Sequence, residues 1–183
     1  FSYGSSSEKN YKKLEKDLIN FSKYNPMELI LPCLFSEING KALPKIIDEI
    51  NKTDFLNHIV IGLDKADLDQ YKKAYKFFEK LKVPFSLLWN DGPRLRELDN
   101  ELNLKGLAPR EFGKGRNVWF CIGMTLARGN AESIGLHDCD ILTYDKSLLA
   151  KLFYPVANPV FNFQFCKGYY PRVADAKMNG RVS

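Results

Sequence analysis

Asp138 and Asp140 stand one residue apart, directly after the short stretch Ser133-Ile134-Gly135-Leu136. Side chains two positions apart in an extended chain share a face, so both carboxylates can point into one space. Two hard oxygen donors suit Mg²⁺ or Mn²⁺. Such a cation can bridge the phosphates of a nucleotide and offset the charge that builds on a leaving diphosphate. The spacing is common, and a capping or turn role is the competing reading. Gly113-Lys114-Gly115 precedes a helical stretch. Its glycines permit close backbone approach to a phosphate, while Lys114 and the helix N-terminus supply positive charge. It is not a Walker A loop, which needs a glycine at Ala108 and a Ser or Thr at Gly115; an ordinary loop is the alternative. His137 alternates away from the acidic pair and is expected to be packed and hydrogen-bonded. His58 opens a strand and carries no functional signal. The stripe Phe161, Phe163, Phe165 is read as core rather than as a stacking platform.

The elements that must position these groups follow from periodicity. Residues 27–34 are apolar apart from Glu28 and Pro32, as in a strand buried on both faces of a parallel sheet. Gly40 and Pro44 introduce a helix with Leu43, Ile46, Ile47 and Ile50 on one face. A strand at 58–63, a helix through Leu68, Tyr71, Ala74, Phe78 and Leu81, and a strand at 84–89 complete a βαβαβ pattern and an α/β fold. The turn Asn90-Asp91-Gly92-Pro93 leads to a charged helix at 94–102. Helices are expected at 118–127 and 146–153, a short strand at 133–136, and an aromatic strand at 161–170. Upstream, Ser5-x-x-Glu8 reads as a capping box, opening an arm helix whose face is Tyr11, Leu14, Leu18 and Phe21. Residues 1–26 are read as this helical arm and residues 27–183 as one ligand-binding domain. In an open α/β sheet, ligands bind at the carboxyl ends of the strands, which selects the loops 32–37, 64–67, 90–94 and 137–140.

Composition excludes several classes. The 183 residues, 45% hydrophobic, hold a core of one-domain size. With no long apolar run and no signal-peptide pattern, the chain is expected to be soluble and cytoplasmic. Its four cysteines, Cys33, Cys121, Cys139 and Cys166, lie far apart among only two histidines, which argues against a zinc site. They are read as reduced, and Cys33, Cys121 and Cys166 as small buried hydrophobes. The net charge of +5 is spread along amphipathic segments mixed with acids, so nucleic acid is not the expected partner. A mild positive field suits small phosphorylated ligands. The chain starts at Phe1 and stops at Ser183 with no end signal, as a piece of a longer protein would.

Taken in order, Leu31-Pro32-Cys33-Leu34, Gly113-Lys114-Gly115, Asp138-Cys139-Asp140 and Gly180-Arg181-Val182-Ser183 resemble the motifs of glucosyl-3-phosphoglycerate synthases, as do the longer stretches 137–145 and 162–170. The resemblance runs from about Met27 to the end. It implies a GT-A, Rossmann-like open mixed sheet, mostly parallel and flanked by helices. It also implies that Pro32, Leu34 and Glu37 border the uridine or guanosine, that Asp64 closes the pocket and that Lys114 meets the diphosphate. Asp140 would ligate Mg²⁺ or Mn²⁺ directly. Asp138 would hold the ribose and sugar side or a metal-bound water. Gly180, Arg181 and Ser183 would hold the acceptor's phosphate and carboxylate, a task suited to an Arg fork and backbone amides.

The implied activity is α-glucosyl transfer, with retention, from UDP-glucose or GDP-glucose to the 2-hydroxyl of 3-phosphoglycerate. A front-side reaction assisted by the leaving phosphate fits the lack of an evident nucleophile. The family's histidine metal ligand and acceptor loops would lie downstream, and a homodimer is its usual assembly. Three departures stand out. Cys33, Phe35 and Ser36 replace residues of the usual Pro-Ala-Leu-Asn-Glu-Glu. Gly62-Leu63-Asp64 replaces Asp-x-Gly-Ser, and Ser183 replaces a Thr. The competing readings are a transferase with another acceptor (glycerate, a sugar or a polyprenyl phosphate) and a non-catalytic nucleotide-binding domain. A nucleotidyltransferase would carry a Gly-rich basic loop after the first strand, which residues 32–40 lack.

Overall fold

The computed structural model describes the backbone of residues 4–161, 163–168, 173–174 and 177–178, and the side chains of 10–161 and 163–168. Helix α1 (Gly4–Phe21) leads into strand β1 (Met27–Leu34), a 3₁₀ turn (Phe35–Asn39) and helix α2 (Ala42–Ile50). Strand β2 (His58–Asp64), helix α3 (Leu68–Phe78) and strand β3 (Phe85–Trp89) follow. Then come helices α4 (Pro93–Leu104) and α5 (Lys114–Arg128), strand β4 (Ser133–Leu136) and helix α6 (Lys146–Ala157). Strands β5 (Val173–Ala174) and β6 (Lys177–Met178) form a separate antiparallel pair.

The main sheet is four-stranded in the order β3-β2-β1-β4, and all its described pairings are parallel. It is the open α/β sheet that the alternating pattern predicts. Side-chain alternation sorts the core into two layers. Leu29, Leu31 and Cys33 of β1, with Ile59, Ile61 and Leu63 of β2, face a large cluster that takes in Leu18 of α1, Leu43, Ile46 and Ile47 of α2, Phe78 of α3 and Phe153 of α6. Ile30 and Val60 point the other way and pack with Cys121 of α5. The first and second connections run to one side of β1, and the third returns the chain to pair β4 on its other side. The carboxyl ends of β1 and β4 therefore flank a topological switch point, where open α/β sheets bind ligands.

Three sequence expectations are corrected, the simplest being that Cys166 is partly exposed rather than a buried hydrophobe. Helix α5 begins at Lys114 rather than Val118, so Gly115 lies in its first turn. Gly113 ahead of it has φ of 126°, a conformation that glycine alone adopts without strain. The described residues of 161–168 form no strand, and Phe161, Phe163 and Phe165 are 47%, 56% and 79% exposed rather than core. Asn158 and Pro159 end α6 in a tight turn, with Asn158 accepting from the amides of Val160 and Phe161. Residues 163–168 line a hollow together with β4 without joining its ladder. Aromatic alternation signals a strand only where a neighbouring edge pairs with it. Ser5 and Glu8 lie outside the residues whose side chains are described.

Candidate functional site

The alternation of β4 continues past its last paired residue. His137 donates its amide to Ile30 O at 3.2 Å, which carries the β1 register one step further. His137 and Cys139 consequently turn into the core, 4% and 2% exposed, while Asp138 is half-buried and Asp140 exposed on the opposite side. Both carboxylates line one cavity of about 270 Å³.

Helix α5 delivers Lys114 to the same cavity. Lys114 Nζ is ion-paired with Asp138 Oδ1, and both side chains are solvent-accessible. An exposed pair of this kind contributes little to stability, so the lysine can change partners at small cost. The first turn of α5 is held by Asn117, which is 3% exposed. Its Nδ2 donates to Gly62 O at 2.8 Å, and its Oδ1 accepts a 3.4 Å contact from Cys121 Sγ. A Cβ on Gly62 would lie 1.7 Å from Asn117 Oδ1, so β2 needs glycine there for α5 to approach. Arg116 adds a second anchor through its largely buried ion pair with Asp99 of α4 and its stacking over Phe112 and Phe120. Neither Asn117 nor Arg116 was singled out by sequence reasoning. The one available signal was an Asn three and four residues ahead of Phe120 and Cys121 on the same helical face, where the residue is unfavourable without a partner.

The ends of β1 and β2 complete the wall. Pro32, Cys33, Leu34, Glu37, Asp64 and Lys65 line the cavity together with Gly113, Lys114, Asn117, Asp138, Cys139 and Asp140. Glu37 is fixed by the 3₁₀ turn, where its Oε2 accepts from Leu34 N at 2.7 Å. The structure thus brings together Pro32, Leu34, Glu37, Asp64, Lys114, Asp138 and Asp140 from segments far apart in the chain. The loop after β3 does not join them. Asp91 there accepts from Ala66 N at 3.0 Å and pairs with Arg96 at 3.6 Å, a structural link between loops. Gly180, Arg181 and Ser183 lie outside the described residues. A larger hollow of about 840 Å³ runs along β4 and α6 beneath residues 163–168 and meets the first cavity at Asp138.

His137 is the packed histidine that alternation predicts. Its Nδ1 lies 2.9 Å from the Tyr144 hydroxyl. Burial pulls its pKa down to about 4 against a smaller upward pull from Asp138, and burial also raises that of Tyr144. The imidazole is therefore neutral at pH 7. His58 is similar, 2.9 Å from Ser86 Oγ, with a pKa lowered to about 4 by burial and then by Arg128. Cys139 is held well above the ordinary thiol range by a hydrogen bond with Cys33 and by burial.

The parallel sheet, the switch-point cavity, the helix N-terminus aimed into it and the two strand-end carboxylates together define a Rossmann-like α/β domain of the GT-A type. No family model matches the chain. It is 42% identical over 175 residues to a glucosyl-3-phosphoglycerate synthase of Persephonella marina, a match covering 96% of this chain and 43% of the relative. It is 36% identical over 173 residues to a glucosyl-3-phosphoglycerate synthase of Methanococcoides burtonii, covering 93% of this chain and 42% of the relative. The chain is similar to these two glucosyl-3-phosphoglycerate synthases over nearly all of its own length, and it spans less than half the length of the curated relatives it matches. Among the described residues no helix is long and apolar enough to cross a membrane.

Proposed function

We propose that this chain forms the donor-binding part of a retaining glycosyltransferase that moves glucose from UDP-glucose or GDP-glucose to 3-phosphoglycerate. The observation that carries the reading is the convergence of Pro32, Leu34, Glu37, Asp64, Lys114, Asp138 and Asp140 on one cavity at the switch point, in a chain similar to two glucosyl-3-phosphoglycerate synthases. Pro32 and Leu34 offer apolar surface and Glu37 and Asp64 acceptor oxygens for a nucleoside. Lys114, at the positive end of α5, is suited to a diphosphate.

The donor set also fits a hard divalent cation. Asp138 and Asp140 present carboxylate oxygens from one side of the chain. Among the described residues no third His, Cys, Asp or Glu closes a cluster around them, which leaves room for the phosphate and water ligands that Mg²⁺ and Mn²⁺ retain. Bound there, the cation would supply Lewis-acid stabilisation of the departing diphosphate. Asp140 would be its direct ligand, and Asp138 would meet the ribose and sugar side or a bound water.

Calorimetric titration with UDP-glucose and GDP-glucose, with and without Mg²⁺, tests the donor site. Affinity is expected to rise with Mg²⁺ and to fall about tenfold or more in Asp140→Asn, on the scale of losses at perturbed metal sites. Equal affinity with and without Mg²⁺ in both proteins would end the metal-bridge reading. A product assay on the longer protein with 3-phosphoglycerate and glycerate tests the acceptor; use of glycerate as readily as 3-phosphoglycerate would reassign it.

A further inference from the structure

Cys33 and Cys139 are distant in sequence, yet the fold brings them together at the base of the cavity. Cys33 is the last inward-facing residue of β1, and Cys139 is the inward-facing residue of the extension of β4. The two strands are neighbours. The two sulfurs and one carboxylate oxygen of Glu37 all lie within 4.8 Å of one another, and no other such group of three occurs among the described residues. Tetrahedral zinc with thiolate ligands at about 2.3 Å sets its sulfurs about 3.8 Å apart, so a shift of about 1 Å closes the triangle. The cysteines are 1% and 2% exposed, but all three residues line the 270 Å³ cavity, which supplies an entry path and an open fourth position.

We infer that Cys33, Cys139 and Glu37 form a second cation site, specific for thiophilic divalent ions such as Zn²⁺ or Cd²⁺. Two thiolates and one carboxylate make a soft donor set. The neighbouring Asp138 and Asp140 make a hard one, and the two sets diverge because successive residues face opposite ways. Binding deprotonates both thiols and releases the two protons to the buffer; no redox step is involved. The site shares Glu37 and the cavity with the donor reading, but it needs neither nucleotide nor Mg²⁺, so a metal titration in their absence succeeds or fails independently of that reading.

Cd²⁺ titration of the chain, kept reduced with a non-thiol reductant, tests it. One equivalent of Cd²⁺ should produce a thiolate-to-cadmium charge-transfer absorption, and Zn²⁺ should compete it away while Mg²⁺ should not. Cys33→Ala and Cys139→Ala should each weaken Cd²⁺ more than about tenfold, and Glu37→Gln by about tenfold, as losses at metal-site groups do. Cys121→Ala, Cys166→Ala and Asp140→Asn should keep the absorption. Absence of the band at one equivalent in the wild-type chain, which needs no variant to fold, would overturn the site. So would its persistence in the Cys33→Ala/Cys139→Ala double variant, or its loss in Cys166→Ala.

Discussion

Acidification from pH 7 to pH 5 provides a direct test of the packing around the strand ends. His58 and His137 are 7% and 4% exposed, each with a pKa held near 4 against an ordinary value of 6.5. A histidine whose folded pKa is depressed contributes its stability above the unfolded value and loses it as pH falls toward the folded one. Between pH 6.5 and pH 4 the unfolded chain binds one more proton per histidine, so stability falls by about 1.4 kcal/mol per pH unit for each. From pH 7 to pH 5 this amounts to about 2 kcal/mol per histidine and about 4 kcal/mol for both, a large share of the stability of an ordinary domain. The window stays above the range in which Glu49 and Asp145 titrate, since both have pKa values lowered by side-chain hydrogen bonds, from Lys52 and Ser147 respectively. Urea unfolding followed by circular dichroism at the two pH values measures the loss. His137→Gln should lower stability at pH 7, by removing the Tyr144 contact, and roughly halve the pH dependence. A flat stability between pH 7 and pH 5, or imidazole signals that titrate near 6.5 by NMR, would show that burial does not hold these histidines neutral.

Other substitutions address the site itself. Lys114→Ala should weaken UDP by about 1.5 to 3 kcal/mol, the range for a hydrogen bond to a charged group, and leave uridine unchanged; an equal loss for both in calorimetry would indicate a folding defect instead. Gly62→Ala should cost about 1 to 3 kcal/mol or more by overpacking against Asn117, and an unchanged urea midpoint would show that α5 is not clamped to β2 there. In the longer protein, Arg181→Lys keeps the charge but loses the planar fork. It should raise KM for 3-phosphoglycerate and leave that for the nucleotide-sugar unchanged, whereas impaired donor binding would remove the phosphate-clamp role.

Much of the fold could be read because burial on both faces leaves a simple mark. The apolar runs of β1 and β2 and the helix faces of α2 and α3 each match one period, and the cavity residues sit where strands end. What could not be read depends on approach between distant segments. The Asn117–Gly62 clamp joins α5 to β2 through a side chain and a carbonyl, and nothing in either local sequence announces the pair. The meeting of Cys33 with Cys139 depends on which strand pairs beside β1, so spacing alone counted against any thiol cluster. The aromatic stripe at 161–165 failed for the converse reason, since its alternation was correct for a strand but no edge takes it up among the described residues.

The chemistry of the site rests on the phase of a four-residue strand. β4 pairs with β1 only from Ser133 to Leu136, and a slip by one residue would send every side chain to the opposite face. Asp138 and Asp140 would then enter the core, where unpaired carboxylates are costly, and Cys139 would face solvent. Two contacts guard against that slip. Gly135 lies under the ring of Phe153, where a Cβ would come within 2.6 Å of Cζ, so Ile134 or Leu136 cannot take its place. Beyond the strand, the bond from His137 to Tyr144 holds the chain extended with His137 inward. A glycine that makes room and a histidine that carries no charge therefore decide which side of the chain presents oxygen to the cavity and which presents sulfur. Neither is a group that touches substrate in the proposed reaction, yet both belong to the reason that the Asp-Cys-Asp segment can serve it.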